Sequence, residues 1–154
     1  MAETKKVTTP KNYPEEAKTK LTALLEETKE ARSVLDSIDT ALHSASTPSM
    51  ELVKEWARKS QGWGNYMRKK LAKLSAAAIN EKGNRYMEIK LECNSLGITF
   101  ADGAAKQEAE AYIAPLRSVR DIFEAYVTSA DNVVSVVRLH IKADSEEQNH
   151  EVQV

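Results

Sequence analysis

Apolar residues return every third or fourth position along most of this chain, a period that belongs to helices and not to strands. Leu21, Leu24, Thr28, Ala31, Leu35, Ile38 and Leu42 recur at spacings of 3 and 4, which is a heptad stripe. Pro14 suits the first turn of that helix, where its missing N–H costs nothing. Ser44-Ala45-Ser46-Thr47-Pro48-Ser49 ends it and offers a new N-cap. Val53, Trp56, Ser60, Trp63, Met67, Leu71, Leu74 and Ala78 mark a second stripe, which Tyr86, Ile89, Cys93 and Leu96 resume. Gly62 and Gly64 occupy interior positions, at roughly 1 kcal/mol each relative to Ala. Asn80-Glu81-Lys82-Gly83-Asn84 reads as a turn or frayed end. One long interrupted helix is expected here.

Gly97 is placed to close that helix as a C′ residue, and Thr99-Phe100-Ala101-Asp102 fits a capping box in its acidic form. The third stripe is the most regular. Ala105, Ala109, Tyr112, Leu116, Val119, Phe123, Tyr126, Ala130, Val133, Val137 and His140 alternate by 4 and 3 over five heptads. Pro115 should kink it. The expected organisation is a disordered tail over 1–12 and a single helical domain over 13–143, with helices at about 14–45, 48–96 and 99–143. A free acidic tail follows over 144–154. The expected fold class is all-α, an elongated helical hairpin or three-helix coiled-coil-like bundle. A strict 3.5 repeat is narrower than a globular face, so homo-oligomers are expected.

Composition supports that class. The 154 residues include 42% hydrophobic and 29% charged residues but only 5 Gly and 4 Pro, too few turn formers for a sandwich or barrel. No apolar run is long enough to span a membrane, and the first residues lack an apolar signal core. With the single Cys93, this points to a reducing, cytoplasmic setting. The net charge of −1 hides an asymmetry. Residues 52–92 hold ten bases and four acids, whereas the last twelve residues hold four acids and no base.

The sequence carries little sign of catalysis. His43, His140 and His150 are scattered and share no ligand spacing with Cys93, so neither a metal site nor a cofactor is expected. No phosphate-cradling or nucleophile motif occurs. The informative stretch is KEWARKSQGWGNYMRKKLAK, from Lys54 to Lys73, with seven bases, one acid, two Trp and one Tyr. Cations neutralise phosphates and aromatic faces stack on unpaired bases, the two parts of a sequence-tolerant single-strand site. Candidate DNA-binding residues are Lys54, Arg58, Lys59, Trp63, Tyr66, Arg68, Lys69, Lys70 and Lys73. Trp56 and Trp63 lie on the apolar stripe, so core packing and base stacking are both open to them. Tyr66 lies off it.

These residues also carry a resemblance. Lys54-Glu55-Trp56-Ala57-Arg58-Lys59-Ser60 and then Arg68-Lys69-Lys70-Leu71 form a Trp-containing basic helix. A Gly-containing turn follows at Gly83 to Tyr86, then a long last helix with Tyr112, Phe123 and Ala130 to Arg138. Over roughly residues 50–142 this layout resembles the UvsY-like recombination mediators of T-even phages. The extended first helix and its Ser/Thr/Pro linker depart from that pattern. The resemblance implies single-stranded DNA binding and a ring-like homo-oligomer. It also implies loading of a RecA-type recombinase onto strands covered by single-strand-binding protein, without nucleotide hydrolysis. It carries over Lys54, Arg58, Lys59, Arg68, Lys69 and Lys70 as contacts. The alternative is a structural or adaptor coiled-coil protein whose basic helix docks an acidic protein partner, or its own acidic tail.

Overall fold

The computed structural model describes residues 9–44 and 46–151. The protein is all-helical, with α1 at Glu15–Glu27, α2 at Lys29–Leu42, α3 at Met50–Leu96, α4 at Asp102–Tyr112 and α5 at Ala114–Glu151. There is no strand among the described residues. Contacts divide the chain into two compact units. The first takes residues up to Leu25 with Ala72–Asp121, and the second takes Glu26–Leu71 with Ile122 onward.

Local chemistry accounts for several helix ends. The Ser49 hydroxyl accepts a hydrogen bond from the Leu52 N–H at 3.3 Å, so it caps α3 as expected. Gly97 sits at φ 63°, and it ends α3 with the two bonds of a Schellman motif. Ile98 N–H donates to Cys93 O at 2.9 Å, and Gly97 N–H to Asn94 O at 3.3 Å. Pro115 exerts its effect one turn upstream. It supplies no N–H to the carbonyl of Ala111, and the chain breaks between α4 and α5 at Ile113.

Four expectations are corrected. α3 runs from Met50 to Leu96 without interruption, so Asn80 to Asn84 is helical and not a turn. Gly64 belongs there for a packing reason, because a Cβ on it would lie 2.8 Å from Ala130 Cβ of α5. The first helix is broken at Thr28, which is buried at φ −95° and ψ 5°. Thr99 does not cap α4. Its N-cap is Ala101, whose methyl group offers no acceptor, and Asp102 instead accepts from Tyr86 at 2.6 Å and pairs with Lys106 at 2.7 Å. Finally, α5 passes Ala143 and continues to Glu151. The acidic residues there are adequate helix formers, and Lys142 pairs with Glu146 one turn on. Residues 152–154 lie outside the described residues, as do 1–8 of the expected N-terminal tail and Ala45 of the linker. Within that tail, Lys11 is fixed to Glu88 at 3.1 Å. Just beyond it, Tyr13 is buried edge-on against Tyr112 at 5.5 Å.

In the second unit Ile38, Val53, Val133 and Val137 form a buried cluster, with Trp56 and Ile141 packed against it. In the first unit Ile89, Cys93 and Ala105 do so, flanked by Tyr86 and Phe100. The first unit also buries a charge that the apolar pattern did not announce. Arg85 is 1% exposed on the core stripe of α3. Its guanidinium meets Glu88 at 3.1 Å, Glu92 at 3.3 Å and Glu108 of α4, and lies 6.0 Å from the Tyr112 ring. Burial works against that charge, and the carboxylates of Glu108 and Glu88 outweigh it, holding Arg85 above its ordinary pKa.

Arg85 is therefore a point of leverage on stability. Arg85→Ala should lower the unfolding free energy by about 3 kcal/mol in urea titrations, because it strips the cation from partly buried carboxylates. Adding Glu108→Gln should recover part of that loss. A second outcome concerns acid. The Lys11 bond and then Arg85 hold Glu88 below its ordinary value of 4.5, and Lys82 does the same for Glu110. A depressed folded-state pKa gives stability that is present above the unfolded value and lost as pH falls through the folded one. The urea midpoint should thus fall between roughly pH 4.5 and pH 3. Both carboxylates are part exposed, so the loss should be on the order of 1 kcal/mol and shrink in salt.

Candidate nucleic-acid interface

All nine candidate residues lie on α3. The buried positions of the second unit, Val53, Ser60, Gly64 and Met67, fix the rotational phase of the helix. At 100° per residue, the line opposite them runs through Glu51, Glu55, Arg58, Gly62 and Lys69, with Lys54 and Asn65 toward its flank. All seven are exposed. Lys54, Arg58 and Lys69 make no ion pair with any described residue. A Cβ on Gly62 would meet nothing within 4 Å, so the middle of this ridge is open. No acid occurs from Trp56 to Asn80. The ridge thus offers Lys69 without an ion pair at one end, Lys54 and Arg58 beside Glu51 and Glu55 at the other, and uncharged polar groups between. Lys73 is exposed and unpaired as well, but belongs to the first unit.

The other candidates are committed elsewhere. Lys59 pairs with Glu55 at 2.7 Å on its own helix. Lys70 reaches Glu27 of α1 at 2.5 Å and lies 5.4 Å from the Tyr66 ring centre. Tyr66 donates its hydroxyl to the same carboxylate at 3.0 Å and sets its ring edge-on to Trp63 at 5.8 Å. Burial and the Glu27 bond raise the Tyr66 phenol, and that bond also raises Lys70. Trp63 and Tyr66 are part-buried on the flank of the helix, and Trp56 packs on the core cluster. The structure therefore separates rings from free cations. Stacking platforms interleaved with phosphate contacts are not what this surface presents.

Arg68 leads to a feature the sequence reading missed. Its Nη2 bonds both carboxylate oxygens of Asp131 on α5, at 2.7 and 2.8 Å, and its Nη1 bonds Asn65 Oδ1 at 2.7 Å. This fork forms one wall of a polar cavity of about 260 Å³ between α3 and α5, within the second unit. Gln61, Asn65, Ser135 and Arg138 also line it, and Arg138 has no ion pair among the described residues. Ser60, also in the lining, is fully buried and its hydroxyl has no hydrogen-bond partner. The available sequence signal was Gly64 facing Ala130 across two helices, since a close approach of helices creates a groove beside it. Single-sequence periodicity does not pair those two residues.

Among the described residues no three His, Cys, Asp or Glu side chains converge as a metal site. No helix of the described residues is long and apolar enough to cross a membrane. His140, expected on the apolar seam, is exposed, and Cys93 is fully buried.

The geometry separates Lys69 from Lys70. Lys70→Glu places a carboxylate beside Glu27 and should cost about 1 kcal/mol of stability. Lys69→Glu should leave the urea midpoint unchanged to within roughly 0.5 kcal/mol. Denaturation of the two single variants checks this. No family model, no curated protein and no solved structure matches this chain.

Proposed function

We propose that this protein is a non-enzymatic single-stranded DNA-binding accessory protein, similar in role to a mediator that helps load a RecA-type recombinase. The observation that carries this reading is the outer ridge of α3, where Lys54, Arg58 and Lys69 face solvent and form no salt bridge with any described residue, although Glu51 and Glu55 stand beside the first two. These cations are available to a polyanion outside the chain, whereas Arg68, Lys70 and Arg85 are paired within it. Binding works through backbone phosphates, with counterion release as its driving force. A flexible strand follows a convex ridge more readily than a duplex, whose persistence length is about 150 base pairs. Oligomerisation, and contacts with a recombinase or a single-strand-binding protein, are part of the same proposal.

A second reading, the structural adaptor, is favoured by a different observation. Ile79, Met87 and Leu91 of α3 are 72%, 50% and 63% exposed, spaced with Gly83 at intervals of four on one helix face of the first unit. Such a face suits a helical protein partner. Indifference between labelled oligo-dT and a duplex of equal length would favour this reading.

Fluorescence anisotropy with labelled oligo-dT tests the first one. The three ridge phosphates alone should make log K fall with log salt at a slope of about −2, and any further phosphate contact should steepen it by about 0.7. Lys54→Glu with Lys69→Glu should abolish most of the affinity at low salt while leaving the circular dichroism spectrum intact. Retention of wild-type affinity by that double variant would overturn the proposal.

A further inference from the structure

The cavity between α3 and α5 lies beside the part of the cationic ridge that carries no unpaired charge. Between Arg58 and Lys69 the exposed residues of α3 are Lys59, Gln61, Gly62, Asn65 and Arg68, of which Lys59 and Arg68 are ion-paired. Gln61 and Asn65 are also two of the residues that line the cavity. The ridge therefore opens sideways into it at the middle of its length. Along the axis, Asn65 lies roughly 10 Å from Arg58 and roughly 6 Å from Lys69, at 1.5 Å per residue.

The lining has the chemistry of an anion seat. Arg68 and Arg138 supply two guanidiniums against one carboxylate, a surplus of one positive charge. Asp131 lies against Arg68, whose Nη2 is 2.7 and 2.8 Å from its two oxygens, and makes no salt bridge with Arg138. That clamp and the Asn65 bond hold the Arg68 fork in place in advance. Because Asn65 accepts from Arg68 through Oδ1, its Nδ2 keeps two N–H donors unspent. Arg138, exposed and without an ion-pair partner among the described residues, completes the set. At about 260 Å³ the cavity admits a tetrahedral oxyanion with several waters, a water's share of liquid volume being about 30 Å³. Planar guanidinium and amide donors match an acceptor with several oxygens, which is phosphate chemistry.

We infer that this cavity seats a phosphate group, held by Arg138, Asn65 and Gln61 beside the Arg68–Asp131 clamp, and that the group comes from the backbone of the bound strand. The inference rests on the proposed function. It adds that one phosphodiester is gripped by oriented donors on α5 as well as α3, while its neighbours meet Lys54, Arg58 and Lys69 as point charges. Recognition is then not purely a field effect, because one position along the ridge has geometry.

The test compares Arg138→Ala with Lys142→Ala, a loss of equal charge from another exposed position of α5, in oligo-dT anisotropy across a salt series. Arg138→Ala should weaken binding five- to tenfold and flatten the salt slope by about 0.7, and Lys142→Ala should do neither. Arg138→Lys should recover less than half of the loss in log K, because it restores charge without the fork. Asn65→Ala provides a second variant, expected to lose about threefold. Equal behaviour of the Arg138→Ala and Lys142→Ala variants would overturn the seat while leaving the ridge proposal standing. Should the wild-type protein not bind oligo-dT at all, the proposed function fails and the strand is excluded as the source. The cavity is judged separately by titrating the wild-type protein with inorganic phosphate under NMR observation. Shifts confined to the side-chain N–H signals of Gln61, Asn65, Arg68 and Arg138 support a phosphate seat. Signals unmoved at millimolar phosphate would overturn it.

Discussion

The constraint on which the rest depends is that α3 must keep one face buried over its whole length while serving two compact units. A 47-residue helix has one phase, so the burial of Val53, Met67, Leu74, Ala78, Ile89 and Cys93 decides where every other side chain points. The face is not uniformly apolar. Gly64 stands where α5 comes too close for a methyl group, and Ser60 is sealed one turn earlier. Arg85 stands where an aliphatic residue would satisfy the period. Each exception marks a local demand that hydrophobic burial alone does not set. The cations on the opposite side are outward-facing as a consequence, since rotating them inward would expose the stripe.

Charge in this molecule is divided by task. Arg68, Lys70, Lys82 and Arg85 join helices to one another through Asp131, Glu27, Glu110 and Glu108. The largest contribution to stability among these is expected from Arg85, because it is itself buried and pairs with the part-buried Glu108, whereas an exposed pair is worth little. Lys54, Arg58 and Lys69 serve no such purpose. A near-neutral total therefore coexists with a surface that is locally cationic, and the local value governs encounter with a polyanion.

The stripes were legible because heptad periodicity reports burial directly. Leu21 to Leu42 and Ala105 to Val137 are buried or part-buried throughout. So were Ser49 and Gly97, whose side-chain chemistry specifies helix ends. The continuity of α3 was not legible. Gly62, Gly83 and the polar run near residue 80 weigh against a helix locally, and tertiary packing overrides them at about 1 kcal/mol per glycine. Nor was the partnership of Tyr66 and Lys70 with Glu27, which joins residues 39 and 43 apart in the chain. A basic segment reads as one patch in sequence, yet folding assigns alternate members of it to different jobs. Arg85 went unseen for the same reason: its three carboxylates come from two helices.

Cys93 gives the molecule a built-in reporter. It is the chain's sole thiol, and it is sealed in the core of the first unit. An alkylating reagent gains access only during excursions in which that core parts. Modification velocity under native conditions is consequently a readout of local opening of that core.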